Sequence, residues 1–164
     1  MADDARPLDD EHAALIQGGV SIFVAGRNAE NETVVSRALA CRVSPDRRQV
    51  TLFLSATQAG ALLGDLRSNG VIAAVFGQPT THRAIQLKGA DAAVAPLPAD
   101  HAHVLAESRR RLIAELSRTG VADVFVQTLL TVVPGDVVAV VFTPSAAFLQ
   151  TPGPKAGTPL ELPK

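Results

Sequence analysis

Apolar and polar residues alternate with a period of two through several stretches of this chain, and the period lengthens in a few others. The alternation is clearest over Thr33–Val43. Side chains of a strand point to opposite faces in turn, so Val35, Arg37, Leu39, Cys41 and Val43 share one face. Val34, Ser36, Ala38, Ala40 and Arg42 share the other. Further strands are predicted at Val20–Ala25, Gln49–Leu54, Val71–Phe76, Arg83–Val94 and Val137–Thr143, each bounded by turn residues. Gly89 interrupts the fifth of these and marks a bulge or a close backbone approach.

The longer period appears first after the polar turn Ser55–Ala56–Thr57. Ala59, Leu62, Leu63 and Leu66 follow the i, i+3, i+4, i+7 spacing of one buried helix face. Asn69–Gly70 stops that helix, since both residues enter the left-handed conformation at low cost. A short helix from Asp10 to Gln17, capped by Asp9, is predicted near the N-terminus. A longer one is predicted over Ala99–Arg118 with Leu105, Leu112 and Leu116 as its stripe. Val121–Thr131 reads as a weak helix or an irregular apolar segment. Residues 1–8 read as a loose tail, and the Pro- and Gly-rich residues 144–164 as an extended surface segment.

About six strands joined by short turns, with two or three helices, argue antiparallel pairing. A sheet of that size with so few helices needs closure to hide its edges, which predicts a barrel. The predicted class is mostly β with peripheral helices (α+β), in one domain over residues 1–164. With 47% hydrophobic residues, the chain has enough apolar side chains for a packed core.

Composition narrows the function. A formal charge of −1 and a pI near 6.4 give no general attraction to nucleic acid or acidic membranes. With no Trp and no Tyr, a platform for stacking bases is poorly supplied. One cysteine, Cys41, rules out an intrachain disulfide or a multi-thiolate zinc site; in its apolar row it reads as a packing residue. No long apolar run suggests a signal or membrane span, so a cytoplasmic protein is expected. His101 and His103 lack the i, i+4 spacing of a metal pair. No metal site is expected, and no nucleophile–base arrangement is supported by spacing.

Two features carry chemistry. A guanidinium at Arg37, in an apolar row, must find an anion, reach an edge, or suffer desolvation. It reads as a phosphate ligand or as a strand Arg paired with a local carboxylate. The mouth of the second helix gathers free backbone N–H groups with the hydroxyls of Ser55 and Thr57, and such a mouth suits a phosphate. The same residues are also ordinary helix caps. Arg42 reads equally as a ligand or a surface charge. Gln86 and Lys88 share a strand face that is either solvated, dimer-facing, or turned to a ligand.

Most of the chain, about Leu15 to Gly157, resembles the pyridoxamine 5′-phosphate oxidase-like, FMN-binding split β-barrel family. The cues are Arg37-Ala-Leu-Ala-Cys-Arg42, Phe53-Leu54-Ser55-Ala56 before a helix, His82-Arg83-Ala84-Ile85-Gln86-Leu87-Lys88-Gly89, and Gln150-Thr151-Pro152-Gly153-Pro154. The resemblance implies an antiparallel split barrel that binds FMN at a homodimer interface. It implies that Arg37 contacts the phosphate, that Ala38, Leu39 and Arg42 lie along the flavin, that Leu54, Ser55 and Thr57 bind at the corner, and that Gln86 faces the ring. It also implies electron transfer between a reduced nicotinamide, NAD(P)H, or another donor and a small-molecule substrate. The alternative on the same fold is a non-catalytic dimer carrying flavin, deazaflavin or haem. The family's oxidases place a basic pair just inside the helix after the corner, where this chain has Gln58-Ala59-Gly60-Ala61. They also carry a C-terminal Arg-rich segment and a Trp that this chain lacks. Pyridoxamine phosphate oxidase activity itself is therefore not expected.

Overall fold

Burial alternates along nearly every strand, and this alternation sorts the side chains into a closed interior and an outer face. The computed structural model describes residues 8–162, so the predicted tail lies outside it except for Leu8. Leu8 is not loose: its side chain is buried in the core and its N–H donates to the Arg47 carbonyl at 2.8 Å.

In chain order the elements are α1 (Asp10–Ile16), β1 (Ser21–Arg27), β2 (Thr33–Val43), β3 (Val50–Ser55), α2 (Gly60–Asn69), β4 (Ile72–Gly77), β5 (Ala84–Gly89), β6 (Ala93–Ala95), α3 (His101–Ser117), α4 (Asp123–Leu129), β7 (Val137–Phe142), β8 (Ala146–Leu149) and β9 (Pro159–Leu160). The sheet order is β6-β7-β3-β2-β1-β4-β5-β8-β9, and every pairing is antiparallel. This is the α+β antiparallel architecture the alternation predicts, with three short strands and one helix more than expected.

The extra strands close the barrel. The predicted strand Arg83–Val94 breaks after Gly89. Before the break, β5 pairs with β4; after it, β6 pairs with β7. The other side of the seam makes the reciprocal exchange, since β7 pairs with β3 and β8 pairs with β5. The two chains cross where Gly89 meets Phe142. A Cβ on Gly89 would lie 2.8 Å from Phe142 Cδ2 and 2.9 Å from the Thr143 carbonyl oxygen. Close backbone approach is thus the reason for glycine at this position. The C-terminal segment is extended in part only: it supplies β8 and β9 to the sheet.

Inward-facing Val24, Ala38, Leu52, Leu54, Ala74, Phe76, Leu87 and Phe142 build the main core. Leu62, Leu63 and Leu66 of α2 join it, as do Ala13 and Ile16 of α1. Each fully buried Leu or Phe of this set stabilises the fold by about 1.5–3 kcal/mol. The end signals of both helices form as expected. Asp9 accepts from His12 N at 2.7 Å, and Gly70 closes α2 at φ 67° with its N–H on the Leu66 carbonyl.

A β-bulge in β2 changes which residues share a face. Ala38 pairs with Leu54, but the next partner of β3, Phe53, sits opposite Ala40. One residue of β2 is extra, so the alternation skips a beat. Cys41 and Val43 turn into the core while Leu39 and Ala40 pack on the outer side. Arg37 therefore does not share a row with Cys41 and Val43. It lies on the same outer face as Arg42, not on the opposite one.

Candidate functional site

The outer face has a covered half and a bare half. Ala40, Phe53, Val137 and Ala139 form a small second core there, covered by Val104 and Leu105 of α3. Beyond that cover, cross-strand register lines up Arg37, Phe23, Val75, Gln86 and Phe148 in one row over five strands. Phe23 is 44% exposed and Val35, beside it, 63% exposed. This bare apolar row begins at Arg37.

Arg37 is half-buried. Its guanidinium lies over the Phe23 ring, 4.7 Å from the centroid, and 3.5 Å from Ser21 Oγ. Among the described residues it has no carboxylate partner. Burial lowers its pKa from the ordinary value, so the cation gains from any anion brought to it. A second cation ends the row: Lys88 Nζ stands 4.9 Å from the Phe148 ring centroid. Beside it, Gln86 Oε1 accepts from Gln150 Nε2 at 3.4 Å.

Ala38 and Leu54 are the last pair of the β2–β3 ladder, and Arg37 and Ser55 each lie one residue beyond it. The two predicted anion-binding elements therefore lie at the same end of that ladder. The donors of the turn from Ser55 to Ala59, however, are engaged. Thr57 donates to Asp136 Oδ1 from its N–H at 2.9 Å and from its hydroxyl at 2.7 Å. Ser55 Oγ donates to Asp136 Oδ2 and accepts from Gln58 N at 3.1 Å. Ala56 N donates to the Asp136 carbonyl at 2.6 Å, and Ala59 N to the Ser55 carbonyl at 2.9 Å. The expected free N–H groups of this turn have partners from Ala56 to Ala59. The hydrogen bonds from Ser55 and Thr57 hold the Asp136 carboxyl below its ordinary pKa. A phosphate fits Arg37 in this structure but finds the Ser55 and Thr57 donors already taken by Asp136.

The remaining predicted residues are dispersed. Ala38 and Leu54 face one another across the ladder with side chains inside the barrel. Leu39 sits at the bulge under α3 and α4. Arg42 is paired with Asp100 Oδ2 at 2.6 Å, just before α3. Asp136 was not evident as a site residue. Its one signal is local: Val133-Pro134-Gly135-Asp136 is a turn sequence immediately before a strand. Among the described residues no cluster of three or more His, Cys, Asp or Glu could hold a metal ion.

No family model matches the chain, and neither does the sequence of any curated protein. Its fold does have counterparts among solved structures. HupZ from Group A Streptococcus aligns over 92% of this chain and 99% of its own, with TM-score 0.54 and 16% identity. A Lactobacillus delbrueckii protein provisionally assigned as a pyridoxamine 5′-phosphate oxidase aligns over 89% of this chain and 96% of its own, with TM-score 0.54 and 13% identity. An F420 reductase aligns over 81% of this chain and 92% of its own, with TM-score 0.50 and 14% identity. The chain thus has the pyridoxamine 5′-phosphate oxidase-like split-barrel fold. Among the described residues no helix is long and apolar enough to cross a membrane.

Proposed function

We propose that this protein is a flavin-binding oxidoreductase that holds FMN noncovalently on the bare outer face, between two copies of the chain. The observation that carries this reading is Arg37. It is a half-buried guanidinium without a carboxylate partner among the described residues, stacked on Phe23 at the edge of an apolar sheet face. A guanidinium so placed takes a phosphate oxygen pair well. The row from Phe23 to Phe148 offers apolar surface for a ring, with Gln86 as the polar group within it. The exposed Phe23 and Val35 are the apolar surface a second copy would cover. When bound, the flavin supplies the redox chemistry, and the protein supplies position and charge.

The deciding experiment is FMN titration of the wild type and of Arg37→Ala. The wild type should show bound-flavin absorbance near ~450 nm, released on heating. Loss of one charge-assisted contact, about 1.5–3 kcal/mol, should weaken the variant's binding by about ten- to a hundredfold. Equal affinity removes the site assignment, and a protein that ignores FMN removes the reading. Anaerobic mixing of the flavin-loaded protein with NADPH or NADH then tests electron transfer. A second reading, a non-catalytic dimer carrying flavin, deazaflavin or haem, draws support from the engaged corner, which removes one phosphate anchor.

A further inference from the structure

The corner between β3 and α2 has the donor set of an anion site, and the chain itself fills it. One N–H and two hydroxyls converge on the two oxygens of one carboxylate, Asp136. Those groups come from residues 79 and 81 positions away in sequence, so this is not a local cap. The carboxylate is held from behind as well. Asp136 N donates to the Val133 carbonyl at 3.0 Å, its carbonyl accepts from Ala56 N at 2.6 Å, and Gly135 makes the turn at φ 82°. Arg37, at the same end of the β2–β3 ladder as Ser55, makes no ion pair with Asp136. The cation leans instead toward Phe23. The Ser55 and Thr57 donors are therefore neutralised internally, and the Arg37 guanidinium is not.

We propose that Asp136 is an autoinhibitory internal anion that closes the Ser55 and Thr57 donors of the β3–α2 corner to phosphate, leaving the Arg37 guanidinium to anchor the anionic end of a ligand. A phosphate brought to Ser55 and Thr57 meets a fixed negative charge already holding their hydroxyls and the Thr57 N–H. The proposal rests on the flavin reading only for the identity of that ligand; the corner itself answers to inorganic phosphate.

The test uses the full chain as wild type, Asp136→Asn, Thr57→Val and the double variant. Each is titrated with inorganic phosphate by thermal shift at constant ionic strength, and with FMN and riboflavin by fluorescence. Asp136→Asn should gain saturable stabilisation by phosphate that the wild type lacks. Its preference for FMN over riboflavin should rise by about tenfold or more, the scale of a new charge-assisted contact. Adding Thr57→Val should abolish both gains. In the wild type, Thr57→Val alone should leave FMN affinity within about twofold, because the corner does not touch the ligand. Wild-type stabilisation by phosphate equal to that of Asp136→Asn overturns the proposal. So does a large loss of FMN affinity in Thr57→Val, a measurement that stands even where Asp136→Asn fails to fold. If the wild type binds FMN and Asp136→Asn gains nothing, this inference fails and the flavin reading survives. If no form binds FMN but Asp136→Asn gains phosphate, the reverse holds.

Discussion

Gly89→Ala should destabilise this protein, while the same substitution at Gly64 should not. At Gly89 the added methyl would lie 2.8 Å from Phe142 Cδ2, 2.9 Å from the Thr143 carbonyl oxygen and 3.4 Å from Ile72 Cγ2. Phe142 is 1% exposed and Ile72 2% exposed, so neither ring nor branch has room to retreat. Thr143 contributes backbone, at the bend where β7 leaves β3 and β8 joins β5. Overpacking of this kind costs about 1–3 kcal/mol. At the usual 2–4 °C per kcal/mol for a chain of this length, Tm should fall by about 2–12 °C. Gly64, inside α2, has nothing within 4 Å of a Cβ. Alanine there should stabilise by about 0.5–1 kcal/mol, since glycine is the poorer helix former. Urea denaturation of both variants beside the wild type measures the pair, with unchanged m-values confirming that the native fold is retained. A neutral Gly89→Ala would refute the close crossing of the two strands, and with it this account of how the barrel closes.

Other outcomes follow from single contacts. Asp9→Ala removes the acceptor for His12 N and should cost about 1 kcal/mol by denaturant titration, with Asp9→Asn close to wild type. Cys41 is buried, its thiol donates to the Ile16 carbonyl, and burial pushes its pKa up; it should resist a thiol reagent in the native protein and react fully in denaturant. Asp136 and Glu115 are both held below their ordinary pKa values by hydrogen bonds, from Ser55 and Thr57 and from Thr80 and Gln78 respectively. A depressed folded-state pKa stabilises above the unfolded value and is lost as pH falls through the folded one. Stability should therefore decline below about pH 4, and Asp136→Asn should flatten that decline in acid-unfolding curves.

Much of this fold is written in short-range chemistry. Alternation marks β1 to β5 and β7, three-to-four spacing marks α2 and α3, and Asp9 and Gly70 end their helices where local hydrogen bonding and backbone freedom require. Those features depend on residues within a turn or two of one another, so a single sequence carries them. Arg37 could be singled out for the same reason, as a cation in an apolar stretch. Its true neighbours could not. The bulge beside Leu39 is a property of β2 and β3 together, and it turns Arg37 and Arg42 to one face against the parity of their spacing. The break at Gly89 takes its meaning from Phe142, and the corner at Ser55 and Thr57 takes its meaning from a carboxylate some eighty positions on. Contacts between distant segments arise only when strands choose partners. For that reason the tertiary structure alone decided which anion-binding groups are open to a ligand and which are already bound.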